Sequence, residues 1–253
     1  MKLFKTFVLT LFLIVTFLIV GSLNLTYDAS IISESSSPRY YQYHQLHRQD
    51  GIGKLYQGRE IAKVMGHREF LWLERPSRES QEKPSQVVAA LDLSSEDMVA
   101  DIGAGSGYFT FRLSPLVPQG KVFAVDIQPE MLEVIDFLKE ENNVSNVETI
   151  LGTVKKPKLP PDKIDLALMV DAYHEFAYPR EMMATIVDSL KLGGRVVLAE
   201  YRRENPFIPI KMLHKMTERQ VKKEMASVGL VWQKTVESLP QQHLIFFEKH
   251  KID

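Results

Sequence analysis

The chain has 253 residues, 45% of them hydrophobic, with a formal net charge of −1 and no cysteine. That length and apolar content suffice for one full hydrophobic core, and the near-zero charge supplies no global attraction to nucleic acid or to an acidic membrane surface. The missing thiols exclude disulfides, thiolate metal centres and a cysteine nucleophile, while fitting a reducing or an oxidising compartment equally.

Lys2 and Lys5 precede an almost wholly apolar run over residues 6–23. As a helix it would measure about 27 Å, close to the hydrocarbon thickness of a thin bilayer. The run is longer than an ordinary signal core, and Val20-Gly21-Ser22 is a poor match to a small-x-small cleavage site. An anchor over residues 1–23 is therefore favoured over a removed signal peptide, and the lack of cysteine excludes a lipoprotein. Positive-inside placement of Lys2 and Lys5 puts the rest of the chain outside the cytoplasm, tethered to the membrane, or exported if the segment is cleaved. Residues 24–38 are Ser-rich without periodicity and read as a flexible spacer.

Residues 39–85 carry tyrosines at 40, 41, 43 and 56, a helix expected around 59–65, and the run Phe70-Leu71-Trp72-Leu73-Glu74-Arg75-Pro76. This segment has enough apolar side chains to pack. It reads either as a lid over a ligand pocket or as a helical layer on the edge of a sheet.

Residues 99–107, V-A-D-I-G-A-G-S-G, describe a buried strand breaking into a glycine turn that admits close backbone approach. A dinucleotide fingerprint started at Gly103 would require glycine or alanine at position 108, where Tyr108 stands. The glycines instead alternate behind Asp101, giving D-x-G-x-G-x-G. This pattern resembles the first motif of the class I S-adenosylmethionine (SAM)-dependent methyltransferases. The resemblance implies SAM as cofactor, with Asp101, Gly103, Ala104, Gly105 and Gly107 forming the loop around its methionine and ribose portion.

The following elements extend the pattern. Lys121–Asp126 is a second short apolar run ending in an acid, about 20 residues past the loop, where a carboxylate accepts both ribose hydroxyls. Asp126 is the best single cofactor contact by this reading, with Ile127 beside it, and it also suits the N-cap of a helix begun by Pro129 and carried by Met131, Leu132, Ile135 and Leu138. Further strands are expected at 146–151, at 164–170 and, after a helix over 181–190 and a turn at Leu192-Gly193-Gly194, at 195–199. A helix over 217–228 has Thr217 as N-cap, Gln220 at the capping-box position and Gly229 as stop signal. Strands at 231–236 and 243–248 suit an antiparallel hairpin. The whole looks like an α/β, Rossmann-like class I methyltransferase fold over residues 86–253, a seven-stranded mostly parallel sheet with one antiparallel strand near the C-terminus.

In that family the third strand is commonly followed by Gly-Asp, whose acid binds the adenine amino group; here Gly152-Thr153 stands there, so a threonine hydroxyl would take over one hydrogen bond. The fourth strand runs into Val170-Asp171-Ala172-Tyr173-His174-Glu175-Phe176. Asp171 is placed beside the cofactor, and no metal is expected because no Asp-Asn pair follows it. The Pro-Pro-Tyr or Pro-Pro-Phe of methyltransferases acting on nucleic-acid bases or glutamine is missing. The resemblance therefore points to the small-molecule, type 11-like branch and to no nucleic acid. His174 is the candidate base, or alternatively a histidine that orients Glu175; Tyr173 is a candidate to stack on or bond the acceptor, or ordinary packing. Arg202, Arg203, His214 and Lys215 flank an apolar loop that would suit an amphiphilic or acidic acceptor, unless the arginines are solvated surface charges.

Two other function classes compete. A membrane-tethered binding module on the same fold would bind SAM poorly or without turnover. A nicotinamide-dependent oxidoreductase would explain the Rossmann-like half and fails at Tyr108 and at the terminal hairpin.

Overall fold

The computed structural model describes residues 40–251; the expected anchor at 1–23 and the spacer lie outside the described residues. Ten strands form two sheets. β1 (Tyr41–Tyr43), β2 (Gly51–Tyr56) and β3 (Arg59–Ala62) make a small antiparallel sheet. β4 (Met98–Ile102), β5 (Lys121–Asp126), β6 (Val147–Leu151), β7 (Ile164–Val170), β8 (Leu190–Tyr201), β9 (Leu230–Val236) and β10 (Gln242–Lys249) make the main sheet, in the order β6-β5-β4-β7-β8-β10-β9. β10 runs antiparallel to both β8 and β9, and the five strands on the other side are mutually parallel. This is the expected fold class.

Period-two alternation places the core. Along β4, Val99 faces one side while Ala100 and Ile102 face the other; along β8, Val197 and Ala199 oppose Val196 and Leu198. Each face needs a helical cover, because a parallel sheet exposes apolar side chains on both. α1 (Arg78–Glu82) is followed directly by α2 (Pro84–Ala90), whose Val87 covers one face together with Leu113 of α3 (Thr110–Leu113) and Leu132 and Ile135 of α4 (Pro129–Glu141). α5 (Pro179–Ser189) and α6 (Glu218–Ala226) cover the other with Met182, Met183, Ile186, Val221 and Met225. Among the described residues no helix is long and apolar enough to cross a membrane.

Several elements differ from expectation. The helix expected around 59–65 is strand β3. Gln57 and Gly58 both take positive φ, 50° and 91°, forming the two-residue turn that matches hairpin twist, so the chain reverses instead of coiling. The turn at Leu192-Gly193-Gly194 is a bulge inside β8: Ile164 pairs with Leu190, and Leu166 with Arg195. Thr217 does cap α6, accepting from the Gln220 N–H at 3.1 Å, but the Gln220 side chain goes to Glu224 and Gln57 instead of closing a capping box.

A buried ion pair joins the small sheet to helix α6. Arg59 in β3 grips Glu224 in α6 through Nε to Oε1 at 2.8 Å and Nη2 to Oε2 at 2.9 Å. Nη1 of the same guanidinium donates to the His174 carbonyl at 3.1 Å, and Tyr173 and Gln220 supply further donors to Glu224. Removing one partner of such a pair strands a buried charge. Arg59→Met and Glu224→Met should each lower unfolding free energy by about 3–5 kcal/mol in urea titration, and the double variant should lose less than the sum.

Asp101, at the end of β4, is also buried. Its Oδ2 accepts from the Thr110 hydroxyl at 2.7 Å, tying strand to helix α3 behind the glycine bend. Burial lifts its carboxyl to about 6, against the Thr110 donors that lower it. The folded pKa thus exceeds the unfolded one, so this group's stabilising contribution is complete below about pH 4 and disappears as pH climbs through 6. Asp101→Asn should match wild type at pH 4 and gain up to about 3 kcal/mol on it by pH 8, read as denaturation midpoints across that range.

Candidate functional site

The strand order reverses between β4 and β7, and ligands of open α/β sheets bind beyond the carboxyl ends of strands at such a point. A cavity of about 1400 Å³ opens there. Gly103 and Gly105, with φ of 75° and 54°, carry the chain out of β4 in a conformation that side chains resist. Space is short as well: a Cβ on Gly103 would lie 2.7 Å from Ala172 Cβ, and one on Gly105 would displace the end of the Leu73 side chain, 2.7 Å away. The bend is held from below, since the N–H groups of Gly103 and Ala104 both donate to the Val125 carbonyl.

Asp126 ends β5 beside the bend. Its Oδ2 accepts from the Gly105 N–H and its Oδ1 from the Gln128 N–H, each at 2.9 Å. Burial raises its pKa against these donors, yet the carboxylate keeps lone pairs for ligand hydroxyls and lines the cavity. Ile127, Gly152 and Asp171 line it too. Asp171 takes φ of 51°, and Gln242 donates to its Oδ2 at 2.8 Å. Its Oδ1 is buried with no partner among the described residues. Burial pushes this carboxyl well above the usual range, with Glu82 and Glu200 adding to the effect.

Four expected cofactor residues do not line the cavity. Asp101, Ala104 and Gly107 shape the bend from behind it. Thr153 is exposed and spends its hydroxyl on a local turn, accepting from the Lys155 and Lys156 N–H groups. Its neighbour Val154 lines the cavity instead.

His174 and Tyr173 separate sharply. Both sit in a 3-10 turn after β7, but Tyr173 is wholly buried in the core and donates to Glu224 at 2.7 Å, which corrects its expected role against the acceptor. His174 faces the cavity. Its Nδ1 lies 2.7 Å from Glu200 Oε2, and its backbone N–H also meets Glu200. An ionised Glu200 makes Nδ1 the protonated nitrogen and leaves the Nε2 lone pair facing inward. Burial works to lower the His174 pKa, and Glu200, Glu175 and Asp171 more than offset it, so the imidazole is more basic than usual.

Nε2 lies 3.1 Å from Nδ1 of His214, which in turn lies 3.3 Å from Glu175 Oε1. His214 comes from a second 3-10 turn, Met212–His214. The sequence pattern names Glu175 only as a residue that His174 orients, gives Glu200 no role and makes His214 a basic flank; the one signal for Glu200 is an acid near the end of β8, at the same end of the sheet as Asp171. Arg202 and Arg203 do not line the cavity, and Arg202 pairs with Glu237. Arg48, Lys63 and Lys211 provide the cavity's basic side chains.

Residues 63–75 form a strap over the site. Met65 N–H donates to Glu175 Oε2 at 3.1 Å, Gln128 bonds Met65 and His67, and the Ser106 hydroxyl donates to Glu74 at 2.6 Å. Leu71, Trp72 and Leu73 supply its apolar lining.

Comparison with known proteins agrees with this geometry. A family model described as a methyltransferase domain matches residues 93–245. The solved structure of a SAM dependent methyltransferase from Aquifex aeolicus superposes with a TM-score of 0.69 at 22% identity, covering 73% of this chain and 99% of that one. The uncharacterized methyltransferase YcgJ of Bacillus subtilis is 31% identical over 123 residues, 48% of each protein. A demethylmenaquinone methyltransferase of Chlamydia muridarum is 27% identical over 124 residues, 49% of this chain and 53% of its own. The chain thus spans about half the length of these two relatives. The match over most of the main sheet places the chain in the methyltransferase-domain family, whose class I fold implies S-adenosylmethionine as the methyl donor.

Proposed function

We propose that the chain transfers a methyl group from SAM to a small acidic or amphiphilic acceptor bound in the cavity. The observation that carries this reading is the shared cavity: the bare Gly103–Gly105 bend and Asp126 line one part of it, and the His174 imidazole backed by Glu200 lines another. Asp126 would hold the ribose hydroxyls of bound SAM, Ile127 and Val154 would lie toward its adenine, and the backbone at Gly103 and Gly105 would admit its ribose and methionine portion. The unpartnered Asp171 Oδ1 suits a donor such as the methionine ammonium. When bound, SAM supplies an electrophilic methyl on a sulfonium, and the electrons of the broken C–S bond return to a neutral thioether.

The protein's own work is positioning and proton handling. Where the acceptor is a hydroxyl, its proton passes to solvent as its oxygen bonds carbon, and the inward-facing end of the His174 cluster receives the acceptor there. Lys63 and Lys211 offer cations to an acidic group of the acceptor, in a lining that also holds the carboxylates of Asp50 and Glu69, while Leu71, Trp72, Val154, Ile210 and Met212 favour an apolar body. A relative named for demethylmenaquinone, an amphiphile, supports that class. The apolar segment 6–23 would hold the enzyme against a membrane, where such acceptors partition.

Asp126→Ala should weaken SAM binding by about 10- to 100-fold in calorimetric titration, since charge-assisted hydrogen bonds contribute roughly 1.5–3 kcal/mol. Incubation of the purified full chain with labelled SAM and a cell extract, followed by mass spectrometry, should yield a labelled acidic or amphiphilic small molecule. His174→Ala should abolish that product and leave SAM affinity within about threefold. SAM binding without any labelled product would favour the binding-module reading, and no SAM binding at all would defeat both.

A further inference from the structure

We infer that His174, Glu175 and His214 form a binding site for a divalent first-row transition-metal ion. The three atoms that face one another are His174 Nε2, His214 Nδ1 and Glu175 Oε1, separated by 3.1, 3.3 and 3.8 Å. A point equidistant from all three lies about 2.0 Å from each, the length of zinc bonds to imidazole nitrogen and carboxylate oxygen. Two imidazoles and one carboxylate suit zinc or iron(II), and a magnesium site would draw on oxygens alone.

The surroundings complete a metal site as well. Glu200 accepts from Nδ1 of His174 at 2.7 Å, which fixes the tautomer whose Nε2 is free to coordinate. The Met65 N–H holds Glu175 Oε2, leaving Oε1 directed at the two histidines. Arg59 and Glu200 pin the backbone of His174. His174 is 2% exposed, so its position is set by packing. All three residues line the cavity, and three ligands leave at least one coordination position open toward it.

The site stands on this geometry alone, whereas its use rests on the methyl-transfer reading. A cation there lowers the pKa of an acceptor hydroxyl, whose proton passes to solvent. The oxygen lone pair then forms the bond to the methyl carbon, the C–S bond breaks with its pair going to sulfur, and the products are a methyl ether and a neutral thioether. The acceptor class narrows to molecules presenting a hydroxyl oxygen able to coordinate a cation.

The test uses untagged full chain stripped with a chelator and titrated with Zn²⁺ by calorimetry and with Co²⁺ by visible absorption, alongside S-adenosylhomocysteine binding. One ion per chain is expected, with the Co²⁺ bands of a low-coordinate nitrogen and oxygen site. His214→Ala and Glu175→Gln should each weaken Zn²⁺ by at least 10-fold, and Glu200→Gln by about 10- to 100-fold, with S-adenosylhomocysteine affinity of the His214 and Glu175 variants unchanged. A wild type that takes up no stoichiometric ion, or variants that bind Zn²⁺ as tightly as wild type, would reduce the trio to hydrogen-bonded side chains and overturn the inference. Metal binding without S-adenosylhomocysteine binding would leave the site standing and sink the methyl-transfer reading.

Discussion

The buried pairing of Arg59 with Glu224 is the constraint on which the rest of the architecture leans. Neither charge could be left alone in so dry a place, and each is satisfied by the fork geometry of the other together with Tyr173, Gln220 and the His174 carbonyl. Three pieces of chain meet in that knot: the N-terminal sheet, the turn after β7 and helix α6. Its consequence is functional. The turn that carries His174 has its backbone clamped by a residue from the small sheet, so the small sheet and the main sheet share responsibility for where the imidazole faces.

The glycine bend shows a second use of buried charge. Asp101 and Asp126 end adjacent strands, yet they act in different directions. Asp101 turns back to Thr110 and braces the bend, while Asp126 receives the Gly105 N–H and keeps its face on the cavity. The cost of burying two carboxylates shows in the upward displacement of both pKa values. Backbone and hydroxyl donors offset part of that cost, and the result is a stiff rim against which a ligand can be read.

Over this rim the strap of residues 63–75 brings Leu71, Trp72 and Leu73 to the cavity. It is held by polar contacts at spaced points, at Glu175, Gln128 and Ser106, instead of by a continuous apolar seam. A strap anchored to Glu175 also touches the histidine cluster, because Glu175 Oε1 lies 3.3 Å from His214 Nδ1.

Much of the fold was legible in the sequence because the signals were local. The strand ending in Asp101 and the alternating glycines, the acid closing β5, the apolar run of β7, the Thr217 cap and the terminal hairpin each depend on residues within a few positions of one another, and period and turn chemistry suffice to read them. The turn at Gln57-Gly58 is equally local, and the helix expected around 59–65 leaves it out. Other features required the tertiary structure. Tyr173 and His174 are neighbours in sequence, and only packing decided that one enters the core and the other the cavity. Thr153 has the right place in the chain for adenine, but a nearby turn claims its hydroxyl. His214 reaches His174 across 40 residues and Arg59 reaches Glu224 across 165. By itself the sequence determined the strands, most of the helices between them and the bend that approaches a ligand, since these follow from backbone preference and alternation. The tertiary structure alone decided which side chains share a pocket, because that depends on how distant segments pack and on which buried charges find each other.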